Sequence, residues 1–315
     1  MPSKLSTFFI TAAAGGQGAA VARQLLETGY KVNALVRDVT KPASQTLANL
    51  GATLIEGDFD NIAALQTAAK GCYGVYLCVS PTQPVEDELI HARNVIEAAK
   101  LAGISKIVCS TVARAEEHEQ FALWHDWLAH YPFLVGYWSY KAAIQKLVQE
   151  AGFESWTILQ PAWIMTNWTM AARSYYWRVE DGEKMITSAF ARETVLDLTC
   201  PNDVGMFAAR AFIEDDGGLK GRIMRVASES LTVGKMAMDM SKVAGKEIKV
   251  YWLSDEEIEE ARNASPMIAM QLWQRSDGSR VDLDEVKGFG IKLTSFKEYL
   301  ERNKESLDAA LRGIV

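Results

Sequence analysis

Thr11-Ala12-Ala13-Ala14-Gly15-Gly16-Gln17-Gly18-Ala19-Ala20-Val21 is the stretch whose reading decides the fold. The run before it, Thr7–Thr11, is apolar and β-branched, and Ala19–Glu27 after it has helical spacing. A strand that passes through a turn of small residues into a helix lets backbone approach a ligand closely. It also aims the helix's free N–H groups at negative charge. That combination suits a pyrophosphate, so Thr11, Ala12, Ala14, Gly15, Gly16, Gln17 and Gly18 are the candidate contacts to a dinucleotide.

Working outward, strands are predicted at Thr7–Thr11, Lys31–Arg37, Thr53–Glu56, Val75–Val79, Lys106–Ser110 and Trp156–Gln160. Helical spacing fills the gaps at Ala19–Glu27, Ile62–Lys70, Asp87–Leu101 and Tyr137–Glu150, and Gly29 and Gly103 stand where helices end. Such alternation implies an α/β fold, a Rossmann-type doubly wound parallel sheet. After Pro161 the pattern becomes aromatic and irregular as far as Thr199. Helices are then expected at Asp203–Ile213, Val233–Val243, from Asp255, and last at Phe296–Asn303. Strands are expected at Ile223–Val226 and Ile248–Trp252. The expected organisation is a nucleotide-binding domain over 1–160 and a smaller α/β substrate lobe over 161–315, with some segments returning to the first sheet. The second strand closes on Val36-Arg37-Asp38, where an adenosine ribose would lie. Arg37 suits the 2′-phosphate of NADP, with Lys41 a possible second cation, so NADP is the expected cofactor.

The 315 residues carry 33 basic and 40 acidic side chains, a formal charge of −7, which argues against nucleic acid as a partner. Cys72, Cys78, Cys109 and Cys200 show neither paired nor metal-ligand spacing, so reduced thiols, a cytoplasmic location and no metal are expected. His118-Glu119 begins a zinc-protease motif, but Ala122 stands where its second histidine belongs. The apolar run Phe8–Ala22 is too short and too broken by glycine for a bilayer span or signal peptide, so no membrane partner is expected.

Several segments together resemble the NmrA-like family of atypical short-chain dehydrogenases/reductases. Ala12, Gly15 and Gly18 match its GxxGxxG opening, with Ala12 in place of the first glycine. Alanine fits that turn only if its φ stays negative. Gly57-Asp58, Asn94–Ala99 with Gly103, Trp156–Pro161 with Ile164–Asn167, Pro201–Gly205 and Leu293–Phe296 match later motifs in order. Gln160 and Thr166 replace a usual arginine and glutamate. The resemblance implies cofactor contacts at Asp58, Phe59, Val79, Ser80 and Pro161 as well as in the turn. It also implies either an oxidoreductase or a non-catalytic, dinucleotide-binding regulator with a protein partner; an isomerase or cyclase holding the cofactor structurally is a further option.

Tyr137-Trp138-Ser139-Tyr140-Lys141 contains Tyr-x-x-x-Lys. A phenol can pass a proton to a substrate oxygen, and a lysine one turn away eases that transfer and can hold a ribose. On a helical wheel Lys141 falls at the margin of the buried face set by Tyr140, Ile144, Leu147, Val148 and Ala151. Ser110 or Thr111, closing the fifth strand, would polarise a carbonyl; alternation points the two to opposite faces. Seven of nine tryptophans lie between positions 124 and 177. Trp138 and Trp156 are expected to pack. Trp124, Trp127, Trp163 and Trp168, with His125 and Asn167, are candidate walls of a pocket for an aromatic or polycyclic small molecule, with core packing as the alternative for the tryptophans.

Overall fold

The computed structural model describes residues 2–3, 6–79, 84, 86–170, 177–180, 183–214, 217–262 and 265–312. Its first elements alternate as the sequence requires: β1 (Thr7–Ile10), α1 (Gly16–Glu27), β2 (Lys31–Val36), α2 (Pro42–Asn49), β3 (Thr53–Glu56), α3 (Ile62–Ala69), β4 (Cys72–Cys78), α4 (Asp87–Leu101) and β5 (Lys106–Ser110). A long helix, Pro132–Glu150, precedes β6 (Ser155–Pro161); helix Pro201–Ile213 and strand Arg222–Val226 come later. Seven parallel strands form one sheet, with Arg222–Val226 at one edge followed by β6, β5, β4, β1, β2 and β3. This is the doubly wound Rossmann arrangement. Helix α2 escaped the sequence reading because its short polar stretch has too weak a period to distinguish it from a loop.

Residue alternation along β1 separates the two faces of this sheet. Phe8 meets Phe212 of helix Pro201–Ile213 at 4.9 Å, on the face shared with α1. Phe9 points the other way, into a core formed with α3 (Leu65), α4 (Val95, Ile96) and helix Pro132–Glu150 (Ile144, Val148). On the first face, α1 and Pro201–Ile213 approach closely at Ala20 and Gly205. A Cβ on Gly205 would come within 2.7 Å of the Ala20 carbonyl carbon, so only glycine permits that contact.

The chain divides into two compact units, and both are built from separated segments: 1–118, 136–161 and 201–226 in the first, 119–135, 162–200 and 227–315 in the second. The second unit has its own core of Trp163, Met165, Trp168, Trp177, Leu196, Leu198, Met236 and Phe296. It holds two three-stranded sheets, made by Trp163–Ile164, Val195–Thr199 and Glu229–Thr232, and by Trp177–Glu180, Glu183–Ser188 and Val250–Trp252. The stretch 161–199, which lacks a clear period, therefore contains four strands among its described residues. They are short, two to six residues each, too few for alternation to mark them in the sequence. The acidic run from Asp255 opens a helix behind a Ser254–Glu257 capping box. The helix at Phe296 is not the last, since Lys304–Arg312 follows. Among the described residues no helix is long and apolar enough to cross a membrane.

Candidate functional site

The turn after β1 has the build of an anion cradle. Helix α1 begins behind Gly15, whose φ of −89° and ψ of 167° are extended, and no side chain caps it. Its first turn carries no acidic residue, so uncapped N–H groups and the helix dipole face outward together. Gly18 keeps the space tight: a Cβ there would lie 2.3 Å from the Ala12 carbonyl oxygen. Ala14, Gly15 and Gly16 are exposed. Ala12 corrects the sequence reading. Its φ is +47°, in the left-handed region, not negative as tolerance of alanine was taken to require. The turn closes through Gly15 N–H donating to Ala12 O at 2.8 Å, and this contact holds the alanine in a conformation glycine would adopt freely.

Thr11 is fully buried and ties β1 to β4: its hydroxyl donates to Tyr76 O at 2.8 Å and accepts from Cys78 N–H at 2.9 Å. The Gln17 side chain turns inward, where its Oε1 accepts from Ser110 Oγ at 2.6 Å and from Tyr76 OH at 3.4 Å, which leaves its backbone N–H to the cradle. At the end of β2, Arg37 is exposed and has no partner among the described residues. Asp38 is occupied by its own turn, accepting from Thr40 N–H at 2.8 Å and Thr40 Oγ1 at 2.6 Å. These bonds, with nearby Lys41, hold its carboxyl below the usual range. Asp58 is likewise occupied, accepting from Asp60 and Asn61 N–H groups, while Phe59 stacks on His91 at 5.2 Å. Pro161 O accepts from Ala113 N–H at 3.1 Å. Ser80 lies outside the described residues.

The Tyr-x-x-x-Lys pair is brought together on helix Pro132–Glu150. Lys141 Nζ lies 5.9 Å from the centre of the Tyr137 ring, and that ring, half-buried, sits edge-on to Trp138 at 5.5 Å. Lys141 is only 3% exposed, not marginal. The buried arc of this helix is wider than the wheel placed it, because Trp138 and Gln145 are enclosed too. The ammonium donates to Val79 O at 2.8 Å and forms an ion pair with Glu88 of α4, Nζ to Oε2 2.7 Å. Sequence reasoning missed Glu88, since an acidic residue in the first turn of a helix reads as an ordinary response to the dipole. It also missed Gln145, four residues after Lys141, which the helical period could have found.

Ser110 and Thr111 point to opposite faces, as alternation requires. Ser110 faces α1 and gives its proton to Gln17. Thr111 faces the helix of Tyr137 and Lys141, and its Oγ1 accepts from Gln145 Nε2 at 2.8 Å, which leaves its own proton to donate elsewhere.

The tryptophans correct the expectation of a pocket wall. Trp127 and Trp168 have no exposed surface, and Trp124 and Trp163 are almost as enclosed, so none offers an open aromatic face. Trp163 and Trp168 belong to the core of the second unit. Trp127 packs edge-on with Trp124 and Phe121. His125 is exposed and Asn167 half-buried.

The sequence profile of the NmrA-like family matches residues 4–300. The chain is 24% identical over 266 residues to an NmrA-like family domain-containing oxidoreductase, hkm9, of Aspergillus hancockii, covering 79% of this chain and 76% of that one. It is 26% identical over 249 residues to quinone oxidoreductase 2 of Escherichia coli, covering 78% and 77%. Among solved structures it is similar to NmrA, a negative transcriptional regulator, in complex with NADP (TM-score 0.73, 17% identity, 99% of both chains) and with NAD (TM-score 0.74, 16% identity, 98% and 99%). A Rossmann sheet with this cradle and this breadth of agreement defines the class, and the chain belongs to the NmrA-like family.

Proposed function

We propose that the chain is an NADP(H)-dependent oxidoreductase acting on a carbonyl or related group of an aromatic or polycyclic small molecule. The observation that carries this reading is the meeting of Tyr137 and Lys141 on one helix, above a sheet whose first turn is an uncapped anion cradle. The N–H groups of α1 would take the pyrophosphate in the space that Gly18 keeps clear. Arg37, without a partner among the described residues, would take the 2′-phosphate, while the Asp38 carboxylate is already engaged by Thr40. Bound there, the dinucleotide supplies a hydride at its nicotinamide. Tyr137 would give the proton to the substrate oxygen, Lys141 would hold the nicotinamide ribose, and Thr111, whose hydroxyl proton is not committed to Gln145, would polarise the carbonyl. With the four candidate tryptophans enclosed, support for a flat aromatic substrate comes from the quinone in one relative's name.

NADPH and NADH titrated by fluorescence quenching, then a panel of aromatic ketones, quinones and enones followed at the reduced-nicotinamide band, test the proposal. Tyr137→Phe is expected to retain binding and lose turnover by about 100-fold or more. Unchanged turnover removes Tyr137 from the chemistry. Arg37→Ala is expected to cut the preference for NADPH over NADH by about tenfold.

One observation favours a second reading. Glu88 lies against the ammonium that would otherwise act on the phenol. In a regulator, which is what the NADP-bound NmrA is named, a charge-balanced lysine would bind dinucleotide without promoting proton transfer. That reading predicts different affinities for NADP and NADPH and no turnover on the panel.

A further inference from the structure

Lys141 ends in an ammonium on a flexible four-carbon stem, and such a group is useful to a ligand only if something fixes its direction. Two acceptors fix it here, the backbone oxygen of Val79 at the end of β4 and the carboxylate of Glu88. Glu88 is fully buried, and its Oε2 lies 2.7 Å from the Lys141 ammonium, a charge-assisted contact; among the described residues no other group is bonded to its oxygens. A carboxylate in that condition is held in place by its counter-ion. Its site in the first turn of α4 adds the favourable end of a helix dipole. Helix α4 is itself rigidly seated, since Ala92, Val95, Ile96 and Ala99 share one core with Ile144 and Val148 of the helix that carries Lys141.

We infer that Glu88 is the positioning residue for Lys141: from α4 it holds the ammonium at the carboxyl end of β4, ready to meet the nicotinamide-side ribose of a bound dinucleotide. The inference rests on the cofactor reading above. Lysine has three protons to donate, and Val79 O takes one. Glu88 Oε2 lies against the ammonium from a second side, which leaves the third proton for a ligand.

The test compares two probes, NADPH and adenosine 2′,5′-bisphosphate. The second carries the adenine-side half of the cofactor and no nicotinamide ribose. In Glu88→Gln, NADPH binding is expected to weaken tenfold or more while the bisphosphate binds within twofold of wild type; Glu88→Asp, which keeps the charge, should recover part of the loss. Equal weakening of both probes would mean that Glu88 merely supports the fold, and unchanged NADPH binding would mean that Lys141 needs no partner. Either result overturns the inference. Should Glu88→Gln fail to fold, Glu88→Met with Lys141→Met replaces the buried charge pair by apolar side chains. The double variant is expected to bind NADPH as weakly as Lys141→Met alone, and any additional loss overturns the inference. If wild type binds neither probe, the cofactor reading falls and the inference with it; if it binds both, only the variants decide.

Discussion

Ala12 stands where the main chain asks for glycine. A left-handed conformation costs an L residue about 1–2 kcal/mol, and glycine's greater freedom in the unfolded chain returns about 0.5–1 kcal/mol of any gain. Ala12→Gly is therefore expected to stabilise the protein by about 0.5–1 kcal/mol, read as a rise in the urea midpoint at constant slope. The thiols make a second prediction at this scale. Burial pushes the Cys72 thiol up to about 12, with Asn33 opposing weakly, and burial also raises Cys109. Neither should be alkylated by iodoacetamide at pH 8 in the native protein, and both should react in urea. The cradle and the Tyr-x-x-x-Lys pair were legible at this scale because their spacing carries the information. The φ of Ala12 and the partnership of Lys141 with Glu88 were not. One depends on how a turn closes and the other joins residues 53 positions apart on separate helices, where no local pattern registers a contact.

Between elements, α1 and helix Pro201–Ile213 approach closely. Gly205→Ala would press a methyl group into the Ala20 backbone, which cannot swing aside as a side chain would. A loss of about 2 kcal/mol is expected in denaturant titration. A second junction joins the short turn after β5 to the edge of the sheet. There Arg114, 3% exposed and with a φ of +63°, donates through Nε to Glu117 Oε2 at 2.8 Å; Arg225 also pairs with Glu117, and Gln160 bonds Glu116. Burial on its own would raise the Glu117 carboxyl, but the guanidinium groups of Arg114 and Arg225 more than reverse this and hold it below its ordinary 4.5. A lowered native value means that its contribution is fully present above pH 4.5 and is lost as the pH falls through the native value. Glu117→Gln should cost about 2 kcal/mol at neutral pH and flatten the acid limb of a stability profile below pH 4.5. The elements themselves were legible where a short apolar or β-branched run or a helical spacing marks them: β3, β5 and α4 have the predicted bounds. Strands Val195–Thr199 and Glu229–Thr232 were missed because they are short and pair across distant sequence.

For the molecule as a whole, the sequence conveyed the sheet better than the division of the chain. A boundary near Pro161 follows from the loss of alternation. As expected of the later segments, 201–226 returns to the first unit, its helix covering the α1 face of the sheet and its strand pairing with β6 through Arg222–Val226, whereas 119–135, expected in the first domain, belongs to the second unit. A fragment ending at Pro161 is accordingly expected to lack a cooperative unfolding transition, with β6 amides exchanging freely, and a sharp two-state transition in that fragment would contradict this. The order of assembly on the ribosome follows from the same interleaving. Once Pro161 has been added, Ile158 and Leu159 sit in a strand with one edge open, and the strand that closes it is complete only at Val226, 65 residues later. At about 5–20 residues per second that edge waits roughly 3–13 seconds, an interval in which a nascent chain is open to pairing with a neighbour and a chaperone has something to grip.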